Sequence, residues 1–250
     1  MRNLAVNGEM IAREAAVNRK MTEKGMEHIS TSASPKIKGS DYLGLAIWAF
    51  GGLGMEALYA YLLEPVLYGG PMQEWTSGQT IMHWIWTCIT WGIFAAVLMK
   101  KSETKYEFDL FEAKSAKMTL IRLGLCLLFV AVAFWLDYVS WGGFKVYLEW
   151  QRRGSLLFVF QYVYYAFESM LFLLIIVFGQ KACEVWFHRE NFPFGGIICG
   201  LTWGLAHMFT KDILTGILGL FLGVAMGSVY LVVNRDLRKA YVVLFLMFVL

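Results

Sequence analysis

The residues that could do chemistry in this sequence are few, and their surroundings single them out. Glu168 lies in Phe167-Glu168-Ser169-Met170-Leu171-Phe172, near the middle of a long apolar stretch. His207 closes Trp203-Gly204-Leu205-Ala206-His207, where i, i+4 spacing puts the indole and the imidazole on one helix face. Glu56, His83 and Asp137 are further ionisable side chains inside apolar runs. Such groups are costly at membrane depth and are functional candidates by default. A carboxylate bordering a wet cavity is a candidate general base for water. A Glu–His pair on neighbouring helices can activate water or hold a metal. Glu168 and His207 are therefore the candidate catalytic residues, and the same two are the candidate metal ligands. The plainer reading makes Glu168 a protonated side chain donating to a backbone carbonyl, and His207 a hydrogen-bond partner. Asp137 and His83 lie near the outer ends of their segments, where a side chain reaching interfacial water explains them. Glu56, two-thirds of the way through its segment, reads as a protonated carboxyl bonded to a neighbouring helix.

The elements that must position these groups follow from composition. Of 250 residues, 58% are hydrophobic and only 16% are charged, against about 25% charged in an ordinary soluble domain. That excludes a soluble globule, a disordered chain, a disulfide scaffold and a nucleic-acid binder. The fold class is all-α, a polytopic membrane bundle of about seven helices. The apolar segments are 42–63, 80–99, 119–139, 155–179, 194–209, 213–233 and 240–250. About 20 residues are needed to cross the hydrocarbon core. The fifth segment is short and the seventh, as it stands, is incomplete. Residues 1–40 read as a polar cytoplasmic tail ending in a linker over 30–40, and 41–250 as the transmembrane domain. Gly216, Gly219, Gly223 and Gly227 make a flat strip for close helix packing. The four cysteines form no CxxC pair and read as small buried side chains. With the N-terminus inside, seventeen Lys and Arg fall on the inner side and four on the outer. The positive-inside bias then predicts a multi-pass cell-membrane protein with a cytoplasmic N-terminus.

The order of these features resembles the CPBP family, the CAAX-protease and bacteriocin-processing (Abi) membrane proteins, over roughly residues 155–250. The family's Glu-Glu-x-x-Phe-Arg motif is met by Glu168 and Phe172, with Ser169 and Leu173 at its second Glu and Arg. Its aromatic-xxx-His motif is met by Trp203 and His207, and the glycine-rich stretch to Tyr230 matches the helix after it. Its final His-x-x-x-Asn falls on Leu244 and Phe248. The resemblance implies an intramembrane endopeptidase in which Glu168 activates water, with His207 positioning it or binding a divalent metal such as zinc. The implied partners are the lipid bilayer and a peptide or membrane-protein substrate. The missing polar groups imply an alternative, a catalytically inactive relative that binds a peptide, a lipid or a membrane-protein partner. Groups of this kind act as a unit, so losing half of them removes most of the transition-state stabilisation.

Overall fold

In the computed structural model, residues 19–21, 37–112 and 117–250 are described. The expected polar tail and linker lie outside these residues apart from one helical turn at 19–21 and residues 37–40. All the long helices belong to one unit, Lys38–Leu250.

Among the described residues the regular structure is entirely helical. Helix α1 (Gly39–Leu58) runs through a π-helical turn at Tyr59–Leu63 into the short α2 (Glu64–Tyr68). Then come α3 (Ser77–Tyr106), α4 (Leu120–Trp141) and α5 (Lys145–Phe187). Helix α6 (Phe194–Cys199) passes through a second π-helical turn, Gly200–Gly204, into α7 (Leu205–Thr210). Helices α8 (Ile213–Val232) and α9 (Leu237–Val249) complete the chain. Five helical segments are long and apolar enough to cross a bilayer: 39–68, 77–106, 120–141, 145–187 and 213–232. The protein is a multi-pass membrane protein. Residues 194–210 form a shorter apolar helix, and α9 has 13 residues.

The starts of these helices are written in the sequence. Thr76 caps α3 reciprocally with Gln79, Thr119 accepts from the Arg122 amide, and Asp212 and Asp236 cap α8 and α9. Helix α5 is longer than its apolar segment because it holds two pieces. Gly154 breaks it with φ +73°, a conformation that disfavours a side chain. The short piece, 145–153, precedes the span that starts at Ser155.

That span is the centre of the bundle. Leu171 to Gln180 is buried without interruption, whereas α4 has only scattered buried positions and faces outward. A helix apolar on every side belongs in the core or against lipid, and α5 and α4 are the two cases. Arg235, in the turn before α9, donates to Glu184 of α5 at 2.8 Å. Gln180 of α5 accepts from the Gly195 amide at 3.0 Å and donates to the Phe192 carbonyl, fixing the start of α6.

The glycine strip on α8 meets a second one that the sequence pattern alone did not single out. A side chain on Gly219 would strike Gly204, one on Gly223 would strike Gly200, and one on Gly227 would strike Gly196. Two strips at four-residue spacing thus bring the backbones of residues 196–204 and 219–227 into direct contact. This contact holds Trp203 and His207 in place. All four cysteines are buried and free.

Candidate functional site

Glu168 sits on the central span and is 8% exposed. The indole N–H of Trp203 donates to its Oε1 at 2.9 Å. The Trp203 ring packs against Phe172 and Phe248, with centroids 5.0 and 5.6 Å away. One turn further on, the imidazole of His207 lies edge-on to Trp203 at 4.9 Å. Its Nδ1 is 2.9 Å from the Trp203 carbonyl oxygen. A carbonyl only accepts, so Nδ1 carries the hydrogen and Nε2 is the free nitrogen of the neutral ring. Glu168 and His207 are thus brought to the same tryptophan, one at its indole N–H and the other at its backbone carbonyl, and make no hydrogen bond or ion pair with each other.

The π-helical turn is part of this arrangement. The Leu205 amide bonds to the Gly200 carbonyl, five residues back. Single π turns are frequent at functional sites because they break the regular bonding pattern locally. Here the turn contains Trp203, and His207 supplies a hydrogen bond to the Trp203 carbonyl.

Four further positions, Ser169, Leu173, Leu244 and Phe248, are apolar or unpaired. Ser169 is buried and its hydroxyl has no partner. Leu173 and Leu244 are fully buried. Phe248 meets Trp203, Phe172 and Tyr165 edge-on, and its carbonyl accepts from Lys145 Nζ at 2.6 Å.

The three protein ligands of a catalytic zinc are not assembled around Glu168 and His207 among the described residues. Among those residues no three His, Cys, Asp or Glu side chains form a metal-holding group. Glu168 Oε1 is already bonded to the indole.

A second buried acid–imidazole centre lies at the end of the first helical hairpin. His83 Nδ1 and Glu64 Oε2 are 2.6 Å apart, with the residues 1% and 4% exposed. His83 is therefore sealed in the protein and does not reach interfacial water as expected from its position. Trp75 covers its ring at 5.5 Å. Its Nε2 faces Glu56 at 3.9 Å, too long for a hydrogen bond, and Nε2 and Glu64 Oε1 have no partner. A π-helical turn positions this centre as well, because the Glu64 amide bonds to the Tyr59 carbonyl. The eight residues from Glu56 to Glu64 would lie about 80° apart round a regular helix. One inserted residue makes them equivalent to seven steps, so both carboxyls face α3.

Asp137 is paired with Lys145 at 3.2 Å and is partly exposed. The short piece of α5 folds back on the span through Glu149, which is 3% exposed. Glu149 accepts from Gln161, Tyr162 and Tyr165 at 2.9, 3.0 and 2.8 Å. Sequence reasoning missed Glu64 and Glu149 because both fall just outside the apolar runs. Glu64 carried a signal, standing eight residues after Glu56 and directly before Pro65.

Comparison with family models, with curated proteins and with solved structures finds no match.

Proposed function

We propose that this multi-pass membrane protein has a CPBP-like core that binds a peptide segment or membrane-protein partner without cleaving it. The observation that carries this reading is the filling of the Glu168 centre. The Trp203 indole takes one carboxyl oxygen, and Phe172 and Phe248 pack on the same ring. Peptide hydrolysis needs a water at the general base and polar donors where the oxyanion develops. Leu173, Leu244 and Phe248 supply apolar surface at the positions aligned with those donors. The order Glu168, Trp203, His207 supports descent from a hydrolytic arrangement. The proposed orientation in the cell membrane, with the N-terminus in the cytoplasm, rests on the distribution of Lys and Arg.

The test uses purified protein in detergent and in liposomes, with fluorogenic and prenylated peptides, beside Glu168→Ala and His207→Ala. No turnover above the two variants is expected. Cleavage by the wild type that Glu168→Ala abolishes would overturn the proposal in favour of an intramembrane endopeptidase. A tag at residue 2 accessible only from outside intact cells would overturn the orientation.

A further inference from the structure

On the outward side of the bundle an open groove of about 390 Å³ runs between α3 and the span of α5. Trp84, Cys88, Gly92 and Ala96 line one wall, and Phe160 and Phe167 line the other. Gly92 keeps the floor open, since a side chain there would come within 3.1 Å of the Phe167 ring. We propose that this groove holds one acyl chain of an anionic phospholipid whose phosphate sits on Arg152 and Arg153. This site is separate from the Glu168 centre and does not rest on the reading given for it.

Three features fit that occupant. The first is dimension. Trp84 to Ala96 covers about 18 Å of helix, close to the roughly 15 Å half-thickness of the hydrocarbon core. A volume of about 390 Å³ spread along that length makes a narrow slot, too small for a helix about 10 Å across.

The second is charge at one end. The Arg153 guanidinium lies 5.4 Å over the ring of Trp84, the first residue of the groove wall. Arg152 lies 5.3 Å over Trp141. Both arginines are exposed, and neither forms an ion pair with a carboxylate among the described residues. Stacking on tryptophan holds the planar fork of donors without using them, and that fork matches phosphate.

The third is the backbone. Gly154, at φ +73°, ends the short helix that carries both arginines and starts the span beside the groove. The cations therefore stand where the chain enters the apolar layer, at the C-terminal end of a helix that favours them. Phosphate bound there places the first methylenes of its chains at the level of Trp84.

The experiment is native mass spectrometry of the full chain in mild detergent. Phosphatidylglycerol and phosphatidylcholine with identical acyl chains are added, with and without excess inorganic phosphate. The expected result is one retained phosphatidylglycerol, preferred about tenfold, a difference of about 1.4 kcal/mol, and not displaced by inorganic phosphate. Arg152→Gln with Arg153→Gln should bring the preference to about one, and the corresponding lysine pair, which keeps the charge but loses the stacked fork, should keep only part of it. Ile93→Trp, which fills the groove from its exposed side, should reduce retention of both lipids while thermal unfolding stays that of the wild type. Equal retention of the two lipids by the wild type would overturn the proposal. So would a preference that survives the double glutamine substitution, or displacement of the lipid by inorganic phosphate.

Discussion

The protein carries two acid–imidazole centres, each beside a π-helical turn, one fully buried and one with a half-buried histidine, and they are wired differently. At the end of the first hairpin, Glu64 meets His83 directly at 2.6 Å. At the central span, Glu168 and His207 are separated by Trp203, which donates to the acid through its side chain and accepts from the imidazole through its backbone. The first centre is a bond between residues 19 apart in sequence, closed by one hairpin. The second joins residues 35 apart and depends on two glycine strips meeting. The direct pair leaves little tolerance, because either partner alone is a buried polar group without a mate. The tryptophan-bridged centre spreads its hydrogen bonds over a side chain and a carbonyl, so losing one group leaves the other bonded.

The largest expected effect breaks the direct pair. Glu64→Ala leaves His83 buried with neither nitrogen bonded, and removing one partner of a buried pair costs about 3–5 kcal/mol. Thermal unfolding in detergent should show a large loss for Glu64→Ala and a smaller one for Glu168→Ala. Equal losses would erase the distinction between the two centres.

The next effect removes the support of the bridged centre alone. Gly219→Leu puts a side chain against the Gly204 backbone, which has nowhere to move. Overpacking of this kind costs about 1–3 kcal/mol. It should displace Trp203 and leave the Glu64–His83 pair intact. Trp203 fluorescence should report the change, read against the same substitution in a Trp203→Phe background.

Much of this arrangement was legible in the sequence, for reasons that also mark the limits. Each apolar segment falls on a helix, because a run of about 20 apolar residues has one stable form in a bilayer, but α3 and α5 run seven and eight residues past the expected ends at 99 and 179. Pairing Trp203 with His207 on one helix face came from four-residue spacing. What spacing could not reveal is which group each faces across the bundle. The Trp203–Glu168 bond depends on the crossing of residues 196–204 with α8, and the matching glycines 196, 200 and 204 are conspicuous only beside their partners. The position of His83 near a helix end predicts contact with interfacial water, yet Trp75 and Glu64 cover it. Glu64 was hidden because the first apolar run stops at Leu63, while the helix continues through the π turn to Tyr68. Glu149 was hidden because the fold-back at Gly154 needs a left-handed residue that composition does not announce.

A gentler change sharpens the comparison at the bridge itself. Trp203→Phe keeps an aromatic ring against Phe172 and Phe248, deletes the N–H that reaches Glu168 and removes part of the ring's bulk. One hydrogen bond to a buried acceptor is worth about 1–2 kcal/mol. His207 bonds to the backbone carbonyl of residue 203, so that contact should survive. Thermal unfolding and the histidine ring signals in NMR read the two halves separately. A shift of the His207 ring as large as that caused by Gly219→Leu would show that the indole, and not the glycine contact, positions the imidazole.

The smallest effect separates both centres from acid titration at the membrane surface. Asp212 caps α8 directly after the segment that ends in His207 and Lys211, accepting from the Thr215 hydroxyl at 2.6 Å and its amide at 2.9 Å. The hydrogen bond from the Thr215 side chain, followed by that from its amide, holds the Asp212 carboxyl below its ordinary range. A carboxyl that binds its proton less readily when folded stabilises the fold above its unfolded pKa of about 4. That contribution is lost as pH falls through the lower folded value. Asp212→Asn keeps an acceptor at the cap and removes the charge. The difference in unfolding temperature between the wild type and Asp212→Asn should be constant from about pH 5 to 7 and shrink below about pH 4. If the wild type loses stability only in that acid range and the asparagine variant does not, the loss belongs to the cap. If both lose it equally, a carboxyl other than Asp212 is taking up the proton.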